Sequence, residues 1–357
     1  MLFEGSVNLY SEIIAALIFG ALILFLALFK LSPVNSSSFF SKTQTDKLRG
    51  IAIMLIIFCH YFQKVHTTEA FSKLVYSSLG AIGVGIFFML SGYGLMTSKM
   101  KKVNYTKGFL KNKLLRIYSV CFIGYILVSI IFLISKTPFN NNIFLEFITF
   151  SLPNTLMWYL KVQVGMYVLF WIASIILKNK SNKSFAITIL VVCIIYMAVC
   201  FITDVQFVWY ENTLFFPAGI FLAMYKDKVY SFMSKRYTLS LIVSILAFIV
   251  GVISALMFFE TKKGPFELIY IFGFIVLLFT ASVKISGNSR ILDFFGKYSL
   301  ELYISHITVC ELLAFVDSSN VLYSVLFIIL SVLLAIMIKF LSQKILKGID
   351  FVLCKFS

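Results

Sequence analysis

Apolar residues in this chain gather into long runs near 9–29, 50–65, 80–98, 115–134, 155–177, 185–203, 212–225, 238–259, 266–283, 297–315 and 321–346, separated by short polar stretches. A helix needs about 20 apolar residues to cross a hydrocarbon layer of about 30 Å. The pattern therefore predicts an all-α polytopic membrane protein with about eleven transmembrane helices. The run at 212–225 is the exception. It is short and interrupted by Pro217 and Gly219, which predicts a helix that kinks or crosses only part of the bilayer. The first run has no basic segment ahead of it and is long enough to span, so it reads as a retained helix and not a cleaved signal.

Composition agrees with lipid as the solvent: 61% of residues are hydrophobic and 13% charged, against about 45–50% and about 25% in soluble domains. The length fits one helical bundle, with no room for a second soluble domain. The net charge of +16 is a topology signal before it is anything else. The segments 30–50, 99–116, 178–184, 226–237, 284–297 and 339–357 hold 25 lysines and arginines, and the alternate loops hold five, Lys64, Lys73, Lys136, Lys262 and Lys263. Cytoplasmic loops carry such an excess, so the N-terminus is expected outside and the C-terminus in the cytoplasm. Basic residues placed between apolar runs form no nucleic-acid-binding surface. The six cysteines are scattered and mostly lie inside apolar runs, as small buried hydrophobes.

Ionisable groups at bilayer depth are costly and so point to function. Here they are His60, Lys161, Glu301 and His306, with Glu311 nearer an outer end. His60 follows Arg49 by eleven residues and His306 follows Lys297 by nine. At 1.5 Å per residue they lie about 16 Å and about 14 Å from the basic face. Histidines at matched depth suit a general base in a polar cavity, with Glu301 close to His306; an interhelical hydrogen bond that packs the bundle is the plainer alternative. Lys161 follows Trp158 and Tyr159, where lysine can snorkel to an interface or touch substrate. Cys59 adjoins His60 but points about 100° away from it, which argues against a role as acyl carrier. Two histidines without cysteines or carboxylates at ligand spacing make no metal site.

Arginine is scarce: Arg49, Arg116, Arg236 and Arg290 stand among 27 lysines. Its planar fork suits phosphate or carboxylate. Arg49 and Arg116 sit at cytoplasmic helix ends, and segment 99–116 concentrates seven basic residues, with Lys113 one turn before Arg116. An anionic cytosolic ligand would be held there; attraction to anionic lipid headgroups is the alternative.

Several segments then resemble the acyltransferase 3 family of integral membrane O-acyltransferases. Asp46-Lys47-Leu48-Arg49-Gly50-Ile51-Ala52 with Cys59-His60-Tyr61 looks like its opening helix, and GVGIFFMLSGYG at 83–94 like its second. Lys113-Leu114-Leu115-Arg116-Ile117-Tyr118 resembles its basic pair, Met157-Trp158-Tyr159-Leu160 its Trp-containing helix, and Gly296-Lys297-Tyr298-Ser299-Leu300 through Tyr303 and His306 its late helix. The match divides the chain into an extra N-terminal helix and cytoplasmic linker at 1–44, a ten-helix acyltransferase-like membrane domain at 45–346, and a cytoplasmic tail at 347–357. The added first helix departs from the family pattern, as does a lysine in the basic pair where two arginines are common. No hydrolase-like domain follows, which suggests that the chain acts alone or hands its acyl group directly to an acceptor.

The resemblance implies transfer of an acyl group, usually acetyl from acetyl-CoA, to a hydroxyl of a cell-surface or exported polysaccharide or its lipid-linked precursor, at a multi-pass site in the bacterial plasma membrane. It implies no tightly bound cofactor. His60 would be the catalytic base. Arg49, Lys113 and Arg116 would hold CoA, while Ser91, Tyr93, Trp158, Tyr159, Lys161, Glu301 and His306 would line the cavity or meet the acceptor. The expected partners are membrane lipids, acyl-CoA and a carbohydrate. The chief rival is a proton-coupled transporter or flippase of a lipid-linked saccharide, which calls for inverted repeats with paired broken helices; only one run is clearly interrupted, at Pro217.

Overall fold

The computed structural model describes residues 31–65, 70–102, 105–135, 157–257, 266–287, 289–314, 316 and 321–355. The predicted span at 9–29 lies outside them, as does His66. Among the described residues the chain forms eleven α-helices: α1 Lys42–Val65, α2 Ala70–Lys101, α3 Phe109–Ser135, α4 Trp158–Ile176, α5 Asn182–Ile202, α6 Phe215–Lys235, α7 Tyr237–Met257, α8 Phe266–Lys284, α9 Arg290–Lys297, α10 Ser299–Leu312 and α11 Val321–Lys355. Two short strands, β1 Leu31–Pro33 and β2 Ile285–Gly287, pair antiparallel.

Three departures from the expected pattern have physical causes. Helix α1 starts at Lys42, well before the apolar run, because its first turns bury Gln44, Thr45 and Lys47 against protein and not lipid. The late helix divides at Tyr298 (φ −106, ψ 13), which sets amphipathic α9 ahead of buried α10. In α6, Pro217 does no damage: it is the third residue, in the first turn, where a missing N–H costs nothing. The helix breaks instead at Tyr225 (φ −117, ψ 19). Its straight part, 215–225, rises about 16 Å, half of a bilayer core. Ahead of it runs an irregular segment in which Tyr210, Glu211, Asn212 and Thr213 are all buried. Such backbone is tolerated at depth only when protein surrounds it.

Helices α2, α3, α4, α5, α7 and α11 each contain a stretch long and apolar enough to cross a membrane, and α8 has a shorter one. Ile195, Ile202, Leu246 and Leu333 are exposed on α5, α7 and α11, an apolar perimeter suited to lipid. Helices α1, α6 and α10 fall short because they are polar, broken or short. They occupy the interior: residues 301–310 of α10 are buried throughout, so Glu301 and His306 are enclosed by protein.

Close backbone contact fixes this interior. A Cβ on Gly92 of α2 would lie 2.0 Å from the Phe216 carbonyl oxygen, and one on Gly219 of α6 would lie 1.9 Å from that of Met89. The two helices therefore interlock at these glycines. At the basic face the linker before α1 buries Phe39 and Phe40. Phe40 adopts a left-handed backbone (φ 48). Its carbonyl accepts from the Tyr93 hydroxyl at 2.9 Å, and its N–H donates to Gln44 Oε1 at 2.6 Å, which holds the strained turn.

Candidate active site

Helices α1 and α10 bring His60 and His306 together. Nδ1 of His60 lies 2.8 Å from Nε2 of His306, with ring planes 7° apart. Nδ1 of His306 lies 2.8 Å from the Leu302 carbonyl oxygen. A carbonyl only accepts, so the His306 Nδ1 carries the proton and its Nε2 is the acceptor. His60 must then donate from Nδ1, which leaves the lone pair on its Nε2 available for a proton. His306 is fully buried while His60 is half-buried. The arrangement can orient one imidazole through the other and spread the charge of an imidazolium over the pair.

The basic face opens into a cavity of about 1300 Å³. Arg49, Lys113 and Arg116 all line it, as does Ser91. Arg49 pairs with Asp46 one turn earlier. Arg116, Arg49 and Lys102 all act electrostatically on Lys113, whose ammonium lies 5.5 Å from the centre of the Tyr167 ring. The Tyr167 hydroxyl engages Ser91. Burial pushes the hydroxyl of Tyr105, in the turn before α3, well above the usual tyrosine range, so it stays a neutral donor at the mouth. A concentrated cationic wall with aromatic neighbours suits a polyanion that also carries a planar base.

Tyr303 lies between this cavity and His306, and Tyr159 packs against Tyr303 on the cavity wall. Both line the cavity, their ring centres are 5.4 Å apart, and the Tyr303 ring meets His306 edge-on at 5.8 Å. Tyr159 donates to Gln163 Oε1 at 3.3 Å, while the buried Gln163 Nε2 has no partner among the described residues.

Other expected site residues sit elsewhere. Tyr93 spends its hydroxyl on the linker and does not line the cavity. Trp158 packs edge-on against Tyr159, and the Lys161 ammonium lies 5.6 Å from the Trp209 ring. Glu301 is buried one turn from the basic face, 3.7 Å from Lys339, and stays off the cavity wall. Cys59 turns to α2, its Sγ against Gly80. Among the described residues no group of three or more metal-ligating side chains occurs.

Sequence reasoning missed Lys42, Lys297 and Lys339 as cavity residues, whereas Lys102 and Lys107, which also line it, belong to the basic segment 99–116 already singled out. Lys297 and Lys339 read as topology signals, because the face that a helix turns inward is invisible in a fully apolar run. Buried Glu211 and Asn212, joined by a 3.0 Å hydrogen bond, were hidden at the edge of the short run before α6.

A family profile described as an acyltransferase domain matches residues 44–340. No curated protein and no solved structure matches the chain.

Proposed function

This chain belongs to the acyltransferase 3 family, and from that premise we propose that it carries acetyl from cytosolic acetyl-CoA to a hydroxyl of a cell-surface or exported polysaccharide, or of its lipid-linked precursor. The observation that carries the reading is the relay from the Leu302 carbonyl through His306 to His60, which leaves the lone pair of His60 Nε2 free to accept a proton beyond the inner wall of a cationic cavity.

With the basic face in the cytoplasm, CoA phosphates dock among Arg49, Lys113 and Arg116, with Lys339 and Lys297 nearby. The pantetheine arm points the thioester inward. The acceptor hydroxyl gives its proton to His60 Nε2 as its oxygen bonds to the thioester carbon. The tetrahedral intermediate collapses, the C–S bond breaks, and the CoA thiolate takes the proton back from His60. His306 stabilises the transient imidazolium by accepting from Nδ1, the part an aspartate plays in a hydrolase triad. Direct displacement needs no nucleophilic side chain, in keeping with a Cys59 turned away from the pair.

The test is transfer of radiolabelled acetyl from acetyl-CoA to glycan by membranes containing the protein. His60→Ala should abolish transfer while the protein remains in the membrane at normal level. Full activity in that variant would sink the mechanism.

A further inference from the structure

The donor cavity and the histidine pair are not one open space. The cavity is lined at depth by Phe87, Leu90, Tyr159 and Tyr303, and neither His60 nor His306 lines it. Tyr159 packs against Phe87 at 6.0 Å, Phe88 at 5.3 Å and Tyr303 at 5.4 Å. Tyr303 in turn covers His306. The surroundings are dense: Phe88, Leu90, Ile304 and His306 are all fully buried. The hydrogen bond from Tyr159 to Gln163, one turn nearer the basic face, holds one ring in place.

A thioester that enters from the basic face therefore meets two tyrosine rings before it meets the base. We infer that Tyr159 and Tyr303 form a partition the acyl group must cross to reach His60, and that this partition restricts the donor to short acyl chains. The inference rests on the acyl-transfer reading and deepens it by assigning donor length to named residues. The physical basis is packing. A close-packed aromatic wall has few voids larger than a water molecule, so each methylene beyond acetyl must displace a ring. One methylene in such a pocket discriminates between substrates by about 10–200-fold. A polar filter would instead read the thioester itself, which is the same in every acyl-CoA.

The experiment compares kcat/KM for acetyl-, propionyl- and butyryl-CoA in membranes containing wild type, Tyr159→Ala, Tyr303→Ala and Tyr303→Phe. The ratio between donors is internal to each variant, so partial loss of folded protein does not distort it. In wild type, kcat/KM should fall by about tenfold or more with each added methylene. Either alanine variant should reduce the acetyl-to-butyryl ratio by about tenfold or more, and Tyr303→Phe, which keeps the ring, should preserve it. Equal use of butyryl-CoA by wild type overturns the inference. So does an unchanged ratio in both alanine variants, or their complete inactivity with every donor, which would make the rings part of the chemistry and not a filter. A wild type that transfers none of the three acyl groups would instead remove the acyl-transfer reading, and this inference with it.

Discussion

His60 and His306 stand 246 residues apart in the chain, yet their rings are nearly parallel and joined by a 2.8 Å hydrogen bond. The bond fixes a tautomer as well as a position, because the Leu302 carbonyl decides which His306 nitrogen is bare. Each histidine alone could be a packing residue. Together they have the geometry that the proposed base and its orienting partner require.

The first prediction follows from that division of roles. His306→Leu leaves the His60 Nδ1–H without an acceptor and should lower kcat by up to about 10⁴-fold, the loss seen when a triad loses its orienting aspartate, with little change in KM for acetyl-CoA. His306→Gln can still accept through its side-chain carbonyl and should recover at least about tenfold of that loss. Initial-rate kinetics on both variants check it. Equal losses would reduce His306 to a packing residue.

The cationic wall gives the second. A hydrogen bond to a charged group contributes about 1.5–3 kcal/mol. Arg116 is solvent-exposed, so the low end applies, and Arg116→Ala should raise KM for acetyl-CoA by about tenfold while leaving the acceptor KM in place. The same KM should rise with ionic strength, since a charge exposed at the mouth is screened over about 8–10 Å in ordinary salt. Kinetics at two salt concentrations test both.

A third prediction concerns the frame. Gly219→Val places a side chain where the Met89 carbonyl oxygen already lies 1.9 Å from a bare Cβ. The hard contact is backbone, which no rotamer relieves, so α2 and α6 must separate. Overpacking costs about 1–3 kcal/mol, and the variant should show a clearly lower unfolding temperature in detergent than Gly165→Ala, where nothing lies within 4 Å.

Much of this was legible in the sequence, in a pattern that has a physical reason. Helices α5 and α7 are apolar over most of their length and begin and end within three residues of the predicted runs, whereas α11 continues nine residues past the predicted end at 346, to Lys355, through a segment expected as a tail. Arg49, Lys113 and Arg116 were singled out by the scarcity of arginine and the density of charge in 99–116, and they share one cavity. The predicted depths of His60 and His306 placed them level, and the structure joins them. What could not be read was azimuth. Nothing in the run 321–346 says that Lys339 turns inward to Glu301, and nothing in Tyr93 says that its hydroxyl serves the Phe40 turn. The break in α6 was misplaced to Pro217 because proline is a strong signal whose effect depends on its distance from the helix start.

The last prediction tests whether the pair formed by Glu301 and Lys339 supports the fold or only the cavity. Glu301 is buried, its Oε1 lies 3.7 Å from the Lys339 ammonium, and its Oε2 has no hydrogen-bond partner among the described residues. Lys339 also donates to the Lys297 carbonyl and lies 4.1 Å from the Tyr298 ring centre, at the joint between α9 and α10. Removing one partner of a buried pair costs about 3–5 kcal/mol, mostly because the other charge is stranded, whereas replacing both is often close to neutral. Lys339→Met should therefore lower the unfolding temperature, and the double change with Glu301→Gln should restore most of it. Lys339 also lines the cavity, so KM for acetyl-CoA should stay raised in the double variant although its stability has recovered. If stability and KM recovered together, Lys339 would act on the donor only through the helix joint; if they separate, its charge meets the donor directly.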